Sequence, residues 1–106
     1  MISFYVYVVQ EVKASRTAPI KIGVTNDTAW RMSALQNGNP RKLEYRLLFG
    51  PMSRSAAFDF EGHLQSCLRE FCLRNEWFSG KAMRKLLQHS KEPTGASHKR
   101  FVSGHL

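Results

Sequence analysis

The stretch "KIGVTNDTAWRMSALQNGNPRK", residues 21–42, decides how this chain folds. With Ile20 before it, "IKIGV" has the β-branched enrichment of a strand, which ends around Gly23. Asn26 or Asp27 then offers a short side-chain oxygen to an orphan backbone N–H, so a helix starts there. Trp30, Ala34 and Leu35 are expected as its inner stripe, and Gly38 with Pro40 stops it. The cap and the stop are ordinary construction. The arginine at 31 is not explained by construction.

Upstream, "ISFYVYVV" at 2–9 is aromatic and β-branched and reads as a strand, followed by the polar loop "QEVKASRTAP". The first two strands are therefore expected to pair antiparallel. Downstream, "LEYRLLFG" at 43–50 suits a third strand, and residues 51–55 form a turn and cap. From Ala56 to Leu73, Ala57, Phe60, Leu64, Cys67, Leu68 and Phe71 recur at helical spacing. A last helix is expected from Gly80 to His89, with Met83, Leu86 and Leu87 inward.

The expected fold is thus α+β, a small three-stranded antiparallel sheet flanked by helices in the order β-β-α-β-α-α. It occupies residues 1–89. Residues 90–106, rich in Ser, Gly and Lys/Arg, are expected as a mobile basic tail.

With 106 residues and 42% apolar content, the chain can build one modest core. Sixteen Lys and Arg against eight Asp and Glu give a net charge of +8, which points to a polyanionic partner, nucleic acid first. The longest apolar run, Phe4 to Val9, is too short to cross a bilayer, and no secretory leader is visible. A cytoplasmic protein with no membrane partner is expected. Cys67 and Cys72, read on one helix, point apart and are expected as reduced core thiols. No cysteine–histidine cluster suggests zinc.

Several residues could carry chemistry. Tyr5 and Tyr7 share one face of the first strand. Lys21 precedes Gly23, and Arg31 follows Gly23 by eight residues. Glu61 lies on the apolar face of the long helix, where a half-buried carboxylate needs a partner or a metal. Each alone has a dull explanation: strand tyrosines anchor sheets, and Arg31 could simply pair with Glu61. Together, a phenol, two cations and an acid could handle a phosphodiester. The acid would hold one Mg²⁺ or Mn²⁺, the arginine would meet developing phosphorane charge, and the phenol would orient or deprotonate water. Nearby positive charge is expected to lower the phenol's pKa.

"YVY" at 5–7, "KIG" at 21–23, Arg31 and Glu61 in this element order resemble the GIY-YIG endonuclease superfamily. "YVYVVQ", "IKIGVTND", "RMSALQNGNPRKLE" and "NEWF" are similar to the branch named after a phage T5 DNA-binding domain and a meiotically up-regulated yeast gene. The resemblance covers residues 3–88. It implies a metal-dependent endonuclease in which Tyr7 activates water, Arg31 supports the transition state and Glu61 binds one divalent ion.

The chain departs from the motif in places. Tyr5 stands where the first tripeptide has glycine, Lys21 replaces a tyrosine, and Gln65 replaces a histidine found in many relatives. Asn75 falls near the family's late asparagine, whereas Trp77 and Phe78 are expected as core anchors. His63, His89, His98 and His105 are read as non-catalytic.

Lys13, Arg16, Arg41, Lys42, Lys99 and Arg100 are the expected phosphate contacts, giving salt-sensitive affinity with little sequence information. No base-reading module is visible, so specificity would come from a homodimer or a partner protein. Two other classes stand beside the enzyme: a DNA-binding module with weakened or lost catalysis, and a phage protein acting on a host protein.

Overall fold

The structure is a computed structural model and describes residues 2–91 and 99–101. At its centre β1 (Phe4–Glu11) lies between β2 (Ile20–Thr25) and β3 (Leu43–Met52), antiparallel to both. Alternation along β1 divides the interior. Val6 and Val8 face one side, while Tyr7 and Val9 face the other.

On the first side packs α2 (Arg54–Cys67), whose Ala57, Phe60 and Leu64 are buried, followed by Leu68. Ser53 caps it, its hydroxyl accepting from the Ala56 N–H. α3 (Met83–Lys91) adds Leu86 to the same core, with Met83 and Leu87 partly buried against it. On the other side lies α1 (Thr28–Gln36), capped by Asp27, whose carboxylate accepts from the Trp30 N–H at 2.9 Å.

The expected three-stranded sheet is overturned. Among the described residues six strands form, in the order β4–β5–β2–β1–β3–β6, all antiparallel. The α+β class stands, but the order β-β-α-β-α-α lacks β4 (Cys72–Arg74), β5 (Trp77–Phe78) and β6 (Lys99–Phe101). Helical spacing carried the reading too far. The helix ends at Cys67, and a 3-10 turn at Arg69–Phe71 keeps Phe71 on the core. The chain then folds back through a tight turn in which Asn75 takes φ of 52°, a left-handed conformation that Asn tolerates.

Both cysteines are free, as expected, but their placement in the core fails for the same reason. Cys72 sits on β4 and is exposed, and Cys67 is only half-buried. Of the expected tail, residues 90 and 91 finish α3 and Lys99–Phe101 pair with β3. Residues 92–98 and 102–106, with His98 and His105 among them, lie outside the described residues.

α1 also turns a different face inward. Trp30 is 62% exposed and Ala34 is exposed, while Thr28, Arg31, Met32, Leu35 and Gln36 are half-buried. The inward stripe therefore runs one position after Trp30 and takes the arginine with it.

Candidate functional site

The site begins at a cross-strand pair. Tyr7 on β1 faces Gly23 on β2, and a Cβ at position 23 would fall inside the Tyr7 phenol. Glycine is needed there to make room, which gives "KIG" a physical reason. The phenol lies 2% exposed, edge-on to Tyr45 with ring centroids 5.7 Å apart. Tyr45 in turn donates its hydroxyl hydrogen to the Thr28 carbonyl at 2.7 Å, fastening the first turn of α1 to β3.

That fastening aims Arg31 at the sheet. Its Nε is buried and has no hydrogen-bond partner among the described residues. An orphaned guanidinium nitrogen is costly, and an anion is what would satisfy it. The guanidinium carbon stands 5.5 Å from the Trp30 ring centroid.

Glu61 comes from α2 and is half-buried, with no ion pair among the described residues. Burial pushes its carboxyl above the usual range, Glu76 pushes the same way, and Lys21 opposes them. Lys21 is already engaged, its Nζ donating to Glu76 Oε1 at 2.8 Å while lying 5.8 Å from the Trp77 ring centroid.

Tyr7 feels Arg31, Glu76 and Glu61. Its pKa is raised, chiefly by burial; Arg31 pulls it down, and Glu76 and Glu61 push it up. The expectation that positive charge would lower the Tyr7 pKa is therefore corrected, because desolvation outweighs Arg31. Tyr45 is pushed further, to about 12, by burial first and by Tyr7 second. Both phenols hold their protons in the protein as it stands.

Arg31 and Glu61 thus both act on Tyr7, and Lys21 acts on Glu61. Tyr5, half-buried, packs against the same aromatic cluster from further along β1. Asn75 stays in the exposed β4–β5 turn, and Phe78 is the buried anchor expected, whereas Trp77 is half-buried beside Lys21.

The basic candidates are elsewhere. Lys13 and Arg16 stand exposed on the β1–β2 loop, and Arg41 and Lys42 stand exposed before β3. The Val12 N–H donates to the Lys42 carbonyl at 2.8 Å and Arg41 lies 3.8 Å from Glu11, so Lys13, Arg41 and Lys42 meet at one end of the sheet. Arg16 lies further round the loop, toward Gly80 and Lys81. The backbone of Lys99 and Arg100 lies on β6, and their side chains fall outside the description.

Sequence reasoning missed two residues. Glu76 pairs with Lys21 from 55 positions away, a separation no spacing rule reaches. Tyr45 belongs to an ordinary strand alternation, and nothing local marks its hydroxyl as the tie to α1.

Fold and site together define an antiparallel α+β domain that gathers a phenol, a guanidinium and a carboxylate beside its central strands. The chain belongs to the T5orf172 domain family, whose profile matches residues 4–92. No curated protein and no solved structure matches the chain.

Proposed function

We propose that this protein is a metal-dependent DNA endonuclease of GIY-YIG type, with Tyr7, Arg31 and Glu61 at its centre. The observation that carries the reading is the buried, unpartnered Nε of Arg31, whose charge acts on the Tyr7 phenol, as does that of Glu61. Membership of the T5orf172 family supports a nuclease or DNA-binding role, and the net charge of +8 supports a polyanionic substrate.

The donor set fits one hard cation. Among the described residues no group of three or more His, Cys, Asp or Glu is gathered, so Glu61 would hold Mg²⁺ or Mn²⁺ alone, with water and phosphate oxygens filling the remaining positions. A cation there would also relieve the repulsion between Glu61 and Glu76. Such an ion supplies Lewis acidity toward the scissile phosphate.

The chain's own groups supply the rest. Arg31 donates from its planar fork to the phosphate and balances charge as it builds. Tyr7, protonated and held between β1 and Tyr45, orients the attacking water through its hydroxyl. To act as base it would first have to release its own proton to solvent, which incoming positive charge favours by offsetting its burial. The phenolate then takes the proton of the attacking water. Lys21 offers an ammonium to a neighbouring phosphate once Glu76 releases it. Tyr5 packs the aromatic wall behind Tyr7, and Lys13, Arg16, Arg41, Lys42, Lys99 and Arg100 provide further phosphate contacts. A homodimer or a partner protein would add specificity.

A second reading rests on the same burial. A phenol 2% exposed with a raised pKa, and a lysine tied to Glu76, suit a DNA-binding module with weakened catalysis. One assay separates them. With Mg²⁺ or Mn²⁺ the purified protein should convert supercoiled plasmid to open circle, and Glu61→Ala should abolish this. A protein that retards DNA in a gel, loses it with salt and never nicks belongs to the second reading.

A further inference from the structure

A second recess lies beside α3. It is a cavity of about 640 Å³ between the β1–β2 loop, β3 and the start of α3. Arg16, Arg46, Lys81 and Arg84 line it, Met83 and Leu87 give it an apolar side, and no carboxylate is among its lining residues. Of the four cations, only Arg46 has an acidic partner among the described residues, Glu44 at 3.4 Å.

The recess is built rather than incidental. Gly80 donates its N–H to the Thr17 carbonyl at 3.2 Å, and a Cβ at position 80 would collide with the loop backbone. Gln10 Nε2 donates to the Ala18 carbonyl at 2.8 Å and fixes the same loop. Lys81 and Arg84 also stand at the start of α3, where the helix dipole favours acids, so helix stability does not account for them. Cations crowded round a hollow repel one another unless an anion shares it.

We propose that this recess binds a nucleotide phosphate. Guanidinium forks match phosphate oxygens, the size falls within that of small-molecule sites, and Met83 with Leu87 offers the apolar surface a nucleoside body needs. The recess lies on α3's side of the sheet, whereas Tyr7 and Arg31 lie on α1's side, and Glu61, on α2, is not among the residues that line it. It does not rest on the cleavage reading. The phosphate can come from a free nucleotide or from the end of a nucleic-acid strand.

Calorimetric titration of the full chain with pyrophosphate, a deoxynucleoside monophosphate and a terminally phosphorylated short oligonucleotide tests this. The monophosphate or the oligonucleotide should bind, and Arg84→Gln and Lys81→Gln should each weaken it by about tenfold. Binding of the free nucleotide identifies that source. Binding of the phosphorylated strand alone, lost on dephosphorylation, identifies the other. Circular dichroism checks that both variants fold, which their exposed positions favour. The proposal is overturned if neither ligand binds, if both variants bind as the parent does, or if pyrophosphate binds as tightly as the nucleotide.

Discussion

Tyr7 and Gly23 stand opposite each other across β1 and β2, and the phenol occupies the space that any side chain at 23 would take. Gly23→Ala must therefore displace the ring into a packed cluster of Tyr45, Val9 and Leu48. A loss of about 1–3 kcal/mol in urea unfolding is expected from overpacking. Plasmid nicking should fall with it, because the hydroxyl moves. Unchanged stability would mean the ring has another place to go.

Arg31 separates function from stability. Arg31→Ala should slow nicking on the order of a hundredfold or more, as removal of a transition-state donor does. Arg31→Met, which keeps the stem but removes the unpartnered Nε, should leave the free protein as stable or raise it by about 1 kcal/mol. A strongly destabilised Arg31→Met would show that the guanidinium has a structural partner instead.

Glu61 predicts a pH dependence whose sign can be worked out. Its carboxyl is raised in the folded state, by burial first and Glu76 second. Between the ordinary carboxylate pKa and the raised one, the folded chain binds more protons than the unfolded chain. The contribution of Glu61 to stability therefore falls as pH rises through that window. Glu61→Gln should flatten this decline in thermal melts while abolishing nicking. Glu76→Gln should move the acid limb of the nicking profile to lower pH, since it removes a like charge. An unmoved limb would remove Glu61 as the titrating group.

The helix stripe of α2 gives a control. Leu64 is fully buried, so Leu64→Ala should cost about 2–5 kcal/mol by cavity formation. Residual nicking per folded molecule should be unchanged at low temperature.

Phosphate contacts at the sheet end should show in salt titrations. Lys42→Gln should reduce the slope of log affinity against log salt by about 0.9 if Lys42 meets one phosphate. An unaltered slope would place DNA elsewhere.

The sequence made the long elements legible. Runs of β-branched and aromatic residues marked β1, β2 and β3, and the apolar recurrence marked α2 as far as Leu64. It failed where periodicity outlived the element. Leu68 and Phe71 keep helical spacing beyond the end of α2 at Cys67, yet Phe71 reaches the core from a 3-10 turn. β4 and β5, three and two residues long, are too short to carry an alternation. In α1, hydrophobicity favoured Trp30 as the inner residue, but tethering of Thr28 by Tyr45 rotates the helix so that Arg31 faces the sheet. The site was legible as a set of residue types on separate elements. Glu76 was not, because its importance depends on Lys21 being brought beside it by β2–β5 pairing.

α1 carries no fully buried residue, unlike α2 with three. Its attachment rests on Met32, Leu35, the Tyr45–Thr28 hydrogen bond and Gln36, whose amide bonds the Asn39 and Arg41 carbonyls and the Leu43 N–H. Segments held so lightly open before the rest of a domain does. Amide protons of residues 31–36 should therefore exchange with deuterium ahead of those in α2, and a clamped polyanion should slow them. The guanidinium rides on a helix with no fully buried residue of its own, so substrate grip and local order rise together.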